Sequence, residues 1–305
     1  MKRVWMAVVV AAMVGFSVMA QPIIGFLYSG PIGDFGWTYT HDQARQRLPY
    51  ETRFVEDVTP DNIISTTKML IADGCTMIFC TSWEQLDFIQ EIAPDYPDVD
   101  FFCARIEGEA SENIWLFLGR MYQARYLSGV TAGLRSPTGK IGYVAALPIP
   151  EVIRGINAFA RGVMSVNPDA QINVRWTFSW FDPIAEVEAA KSLVADGCDL
   201  LAQHVQGPSV QQVAESSGIL SIGYNLDMSA FAPTANVDNC VWNWDLLYNW
   251  LIFEALSGES GSWVWADMAT GVVGVTSGSG VVPDLGWTDQ ELMSMEWFVD
   301  NVSAP

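Results

Sequence analysis

Beyond residue 20 the chain alternates short apolar runs with longer segments in which apolar residues recur every third or fourth position. Residues 23–28 (IIGFLY), 76–80 (TMIFC) and 99–104 (VDFFCA) read as buried strands, because uninterrupted apolar runs of this length suit a sheet covered on both faces. Residues 59–72 place Ile63, Ile64, Thr67, Leu70 and Ile71 at helical spacing, and Gly74 follows Asp73 where a helix would end. A turn is expected at 94–98. The plan repeats downstream: strands at 141–145, 172–178, 200–203 and 220–224 alternate with helices at 151–166, 184–196 and 209–216, the second of these closed by Gly197. Strands separated by helices at this spacing imply parallel sheets with helices on both faces.

The two halves are also alike in sequence. KMLIADGC (68–75) matches KSLVADGC (191–198) at six of eight positions, and IGFLYSGPIGD (24–34) resembles IGYVAALPIPE (141–151), at offsets of 123 and 117 in the same order. The fold class is therefore α/β, with two similar doubly wound parallel-sheet lobes. Ligands of open parallel sheets sit beyond the carboxyl ends of the strands. Two such lobes facing each other would line a cleft with residues 29–39, 81–83, Arg105, 147–150, 179–182, 204–206 and 224–227. These segments hold Trp37, Tyr39, Trp83, Trp180, Phe181 and Tyr224, a concentration well above the chain's 12% aromatic content, together with Ser82 and His204. A cleft walled by flat rings favours a flat or amphipathic small molecule.

Composition narrows the partners. The 305 residues are 50% hydrophobic and carry 15 basic against 35 acidic side chains, a formal charge of −20, so nucleic-acid phosphates and anionic lipid surfaces would repel the chain. Residues 1–20 open with Lys2 and Arg3, continue through an uncharged apolar stretch and end on Val18-Met19-Ala20, which reads as a cleavable secretory signal before Gln21. No Cys follows that site, so no lipid anchor is expected there, and a periplasmic or otherwise extracytoplasmic monomer is expected. The cysteines Cys75, Cys80, Cys103, Cys198 and Cys240 are odd in number and lack metal-ligand spacing. Packing is the expected role of the first four, while Cys240 stays open between packing and reactivity.

Catalytic signatures are missing: HExxH, GxSxG, Walker A and GxGxxG do not occur. Ser65 and Lys68 satisfy SxxK, but in the middle of a helix and without companion motifs. Of the two histidines, His41 reads as exposed or capping. His204 ends a strand toward the cleft, where it could bond a ligand or Gln206 or belong to the core. No enzyme activity, metal or cofactor is expected.

The segments GPIGDFGWTYTHDQAR (30–45), IGYVAALPIPEVIRGINAFARG (141–162), VNPDA (166–170), SWFDP (179–183), Gln203-His204, IGYNLDMS (222–229) and VWNW (241–244) closely resemble the basic membrane protein family. These are substrate-binding proteins of ABC importers with the type I periplasmic-binding fold, whose better-understood members bind purine nucleosides or nucleobases. The resemblance implies lobes joined by a three-crossover hinge, with 21–115 plus about 241–265 in the N-lobe and 116–240 plus about 266–305 in the C-lobe. A helix at 242–256 would belong to the N-lobe. It also implies a purine ligand and a membrane permease as partners. Trp37 would stack on the purine, Asp34 or Thr38 would meet its edge, and Trp180 or Phe181 would close the other face. In the segment that grips ribose in nucleoside binders this chain has Tyr224-Asn225-Leu226-Asp227, with Asn225 where an acid is common. Trp242-Asn243-Trp244 replaces a frequent Lys. Both departures weaken ribose recognition and favour a free nucleobase such as adenine. A sugar, polyol or other small solute, or a role as ligand sensor for a membrane regulator, is the alternative.

Overall fold

The computed structural model describes residues 21–277 together with Val282, Leu285, Gly286, Thr288 and the pair Val302–Ser303. The expected signal at 1–20 and most of the tail assigned to the C-lobe lie outside the described residues. The chain first runs β1 (Ile23–Leu27), α1 (Trp37–Arg47), β2 (Glu51–Val55), α2 (Ile63–Ala72), β3 (Cys75–Cys80), α3 (Gln85–Ile92), β4 (Asp100–Cys103) and β5 (Ile114–Gly119). It continues α4 (Met121–Arg135), β6 (Lys140–Ala145), α5 (Pro150–Val166), β7 (Gln171–Trp176), α6 (Pro183–Ala195), β8 (Leu200–His204), α7 (Ser209–Ser217), β9 (Leu220–Asn225) and β10 (Asn236–Trp242). Then come α8 (Trp244–Leu256), β11 (Trp263–Ala266), β12 (Val273–Val275) and β13 (Val302–Ser303).

Two sheets result, ordered β11-β5-β4-β3-β1-β2 and β12-β10-β9-β8-β6-β7-β13. Every pairing is parallel except β10 with β12. The inner orders correspond strand for strand, β2-β1-β3-β4-β5 to β7-β6-β8-β9-β10, which is the duplication read in the sequence. The first sheet extends to Gly119, beyond the expected boundary near 115, because Ile114–Gly119 is one more buried apolar run. Trp242, expected in a helix, closes β10 of the second sheet.

Each lobe has an apolar layer on either side of its sheet. In the first, Phe26, Phe79 and Phe102 stack in series at 5.0 and 4.5 Å, and Tyr248 of α8 covers them with its ring 4.4 Å from Phe79. In the second, α4 and α5 meet backbone to backbone. A Cβ on Gly129 would stand 2.1 Å from the Phe159 carbonyl oxygen, and one on Gly162 would stand 2.0 Å from that of Tyr126. Only glycine permits this approach. All five cysteines are free and buried; Cys240 donates its thiol to Ser128 Oγ at 3.2 Å, and burial pushes that thiol up, so packing describes it.

Among the described residues the chain passes between the sheets three times, at 119–121, 242–244 and 266–273. These crossings are tied to one another. Gly119 lies so close to Trp242 and Val273 that a Cβ would meet them at 2.6 and 2.4 Å. The Arg120 amide donates to the Ala266 carbonyl at 2.7 Å, and Asn243 donates through its amide to Val272 and through its side chain to Gly271. Among the described residues no helix is long and apolar enough to cross a membrane.

Candidate functional site

Between the carboxyl ends of the two sheets lies a cavity of about 360 Å³. Its N-lobe wall contains Ser29, Gly30 and Pro31 after β1, Trp37 at the start of α1, and Thr81, Ser82, Trp83 and Glu84 after β3. The C-lobe wall contains Ser179, Trp180 and Phe181 after β7, Gln206 after β8, and Tyr224 of β9. Trp37, Ser82, Trp83, Trp180, Phe181 and Tyr224 are thus brought together, two aromatic rings from the first lobe and three from the second.

Three of the rings are held from behind. Trp37 donates Nε1 to the Thr81 carbonyl at 2.7 Å and lies edge-on to His41, Trp242 and Trp244. Trp83 carries the Arg105 guanidinium 4.0 Å over its ring, and Asp87 holds that guanidinium at 2.8 Å. Tyr224 has Arg125 over its face at 4.0 Å and accepts from Trp242 Nε1 at 3.4 Å, which keeps its ring from turning. A ring fixed in advance loses less entropy when a ligand stacks on it.

The lobes touch across the cavity. A Cβ added to Gly36 would stand 2.0 Å from the Gln206 carbonyl oxygen, so the loop before α1 lies directly on the loop after β8. Beside it, Phe35 meets Phe231 edge to face at 5.5 Å. Phe35 has φ 49°, in the left-handed region a non-glycine residue seldom occupies, and its ring is 45% exposed.

Several residues expected at the ligand are placed elsewhere. Asp34 is buried, and its carboxylate accepts from the amides of Gly36, Thr38 and Tyr39 at 2.8 to 3.0 Å. It anchors the entry to α1, where the amides of a helix start converge on a short acid; burial pushes its carboxyl up while those amides oppose the shift. Thr38 is buried in the same turn, and Tyr39 packs on Phe35 at 5.6 Å. His204 is buried with neither ring nitrogen bonded, beside Tyr224 at 4.8 Å. Asn225 is buried at φ 75° with its amide unpartnered, and Asp227 is exposed, accepting from Ser229 and Asn239. Trp242 stacks on Trp244 at 4.2 Å behind the cavity, and Asn243 belongs to the hinge. His41, expected at the surface, is wholly buried: its Nδ1 meets the Tyr248 hydroxyl and its ring stacks on Trp244 at 4.3 Å. Ser65 bonds the Asn62 carbonyl one turn back in α2.

Sequence reasoning missed Asp57, Glu84, Ala104, Leu118 and Glu151 in the cavity wall. Ala104 is the last residue of the segment 99–104 that reads as a strand, and Glu84 directly follows the cleft segment 81–83, so a window one residue wider at each would include them. Glu151 enters from the first turn of a helix, and Asp57, at φ 53°, from the loop after the polar strand β2. Among the described residues lining the cavity, every charged side chain is acidic. Such a wall repels phosphates and carboxylates and accepts hydrogen bonds from a neutral or cationic molecule. Among the described residues no group of acids, histidines and cysteines could hold a metal ion.

Comparison with known proteins bears on this architecture. Residues 22–291 match the family described as ABC transporter substrate-binding protein PnrA-like, Bmp. A relative named purine-binding protein, from Brucella abortus, is 38% identical over 261 residues, which span 82% of this chain and 73% of the relative. A putative ABC transporter glucose-binding protein from Haloferax volcanii is 38% identical over 256 residues, which span 81% of this chain and 64% of that protein. Among solved structures, solute-binding proteins of ABC transporter systems from Aeropyrum pernix and Conexibacter woesei superpose with TM-scores of 0.74 and 0.70. At 18% and 21% identity, covering 84% and 89% of this chain and 76% and 92% of theirs, they establish the fold. The chain belongs to the PnrA-like (Bmp) family of ABC-transporter substrate-binding proteins, non-catalytic solute binders of the type I periplasmic-binding fold.

Proposed function

We propose that the protein binds a purine, as nucleobase or nucleoside, between the aromatic walls of the interlobe cleft and presents it to an ABC permease from an extracytoplasmic location. The observation that carries this reading is the division of five rings between the lobes: Trp37 and Trp83 face Trp180, Phe181 and Tyr224. A flat heterocycle inserted between them gains ring contact on both faces. The volume, near the lower end of the roughly 300–1,000 Å³ of ligand pockets, suits a molecule of one or a few rings. A wall built for a sugar would hold more Asp, Asn and Arg than aromatic side chains; among the described residues this one holds one Asp and no Asn or Arg. The name of the Brucella relative agrees with a purine, and that of the Haloferax relative makes glucose the comparison to test.

Calorimetric titration with adenine, guanine, adenosine, guanosine and glucose decides the matter. A purine should bind and raise the melting temperature. Heat from glucose with none from any purine would replace this reading with the sugar one.

A further inference from the structure

A neutral ring stacked in the cavity makes no use of the wall's charge. Asp57 and Glu84 lie in its N-lobe part beside Trp37 and Trp83, and both are exposed. Neither forms an ion pair among the described residues. The third acid, Glu151 of α5, is only partly exposed, and burial pushes its carboxyl up, so the two exposed acids set the charge of the wall. Two guanidiniums lie on the cavity rings yet outside the wall. Arg105, 4.0 Å over Trp83, is held by Asp87 at 2.8 Å, and Arg125, 4.0 Å over Tyr224, donates to the Gln203 carbonyl at 2.6 Å. The cavity therefore offers negative charge with no basic side chain beside it among its described residues.

Taking the purine reading as its basis, we propose that the preferred cargo is a purine with a fixed positive charge, alkylated at a ring nitrogen. Asp57 and Glu84, with the indoles of Trp37, Trp83 and Trp180, select it over a neutral purine of the same size.

Three of the five rings are indoles, the side chains whose negative faces attract a cation best, and the attraction grows as water is excluded. In an alkylated purine the charge is spread over the ring system that stacks, so contact and charge attraction act on the same atoms. A neutral purine gains the contact alone. Taking a cation into a closing cleft is costly unless a counter-charge goes with it, and the two carboxylates at the mouth supply one. At longer range the formal charge of −20 draws cations toward the protein. None of this depends on which of Ser29, Ser82 and Gln206 meets the ring's edge, since the charge is delocalised rather than carried by one edge.

Titration calorimetry with isomers separates charge from bulk. At neutral pH 1-methyladenosine is a cation and N6-methyladenosine is neutral, with the methyl group moved by two atoms; 1,9-dimethyladenine and N6,9-dimethyladenine repeat the comparison without ribose. At slightly acid pH 7-methylguanosine against guanosine places the methyl on the opposite edge, so that one steric clash does not decide. In at least one pair the cation should bind at least about tenfold more tightly than its neutral counterpart. Added salt should narrow that ratio, and Asp57→Asn with Glu84→Gln should cut it at least about threefold. Asn tolerates the left-handed φ of 53° at position 57, so the backbone there is kept. Should the double variant fail to fold, the two single variants decide by the same ratio. Cations that bind no better than the neutral purines in every pair, or a preference unmoved by the substitutions, overturn this proposal and leave the purine reading in place. If no purine binds, neutral or charged, the purine reading falls and this proposal with it.

Discussion

Replacing Gly36 with alanine should impair ligand binding while leaving the ligand-free protein stable. The added Cβ would lie 2.0 Å from the Gln206 carbonyl oxygen, 2.6 Å from its carbon and 3.0 Å from its Cα, all backbone atoms that cannot swing aside. Non-bonded heavy atoms prefer about 3.5 Å, so one loop must retreat by roughly 1.5 Å, and gaps of even half that size forfeit about a quarter to a half of each contact they open. Overpacking of this kind costs about 1–3 kcal/mol. Because Gly36 and Gln206 belong to different lobes, the cost falls on the closed form, and Kd should rise roughly 5- to 150-fold at 1.4 kcal/mol per tenfold. Calorimetry gives Kd, and small-angle scattering with and without ligand reports whether the lobes still close. Gly33→Ala, in the same loop but with nothing within 4 Å of its Cβ, is the control and should bind normally. Unchanged affinity and compaction in Gly36→Ala would refute the contact. A fall of several degrees in the ligand-free melting temperature would show that the substitution damages a lobe instead.

Trp37→Ala should weaken purine binding by more than about 1 kcal/mol, roughly fivefold or more in Kd, through lost stacking and burial; an unchanged titration would remove Trp37 from the site. Asp34→Ala leaves three amides without their acceptor and should lower the ligand-free melting temperature, at about 1–3 kcal/mol for buried groups left unpaired. A variant that melts normally but binds poorly would return Asp34 to the ligand. Glu215 is held below the usual carboxylate range by the Thr234 hydroxyl and by the amides of Ala235 and Thr234. Its stabilising contribution should be complete above its unfolded value of about 4.3 and vanish as pH falls through the depressed folded value. Melting curves of Glu215→Gln should accordingly differ from the unaltered protein at neutral pH and converge in strong acid.

The two-lobe plan was legible because each lobe repeats KxLxADGC and an apolar first strand, and the strand-end rule reached the aromatic rings of the cavity because Trp83, Trp180 and Phe181 come shortly after their strands and Tyr224 sits near the end of its own. What it could not show is which way a side chain turns once the backbone competes for it. Asp34 sits in the right loop, but its carboxylate is taken by the helix that the same loop begins. His204 ends the right strand, yet its ring turns toward the hinge because Gly155 leaves room there, 3.2 Å from a would-be Cβ. Trp242 continues β10 rather than starting a helix, and so supports Tyr224 from behind. Glu151 was hidden for the opposite reason. It has no strand-end position, and it reaches the cavity only because α5 points its first turn there.

Since the rings are divided between two sheets, opening the lobes dismantles the site instead of unlocking a finished one. A bound molecule escapes only from a state in which it touches a single wall, so its residence time is set by how often the three crossovers flex. A permease that wedges the lobes apart would then turn a retentive receptor into a leaky one mechanically, with no competitor. Cargo handover would be timed by the transporter and not by spontaneous dissociation.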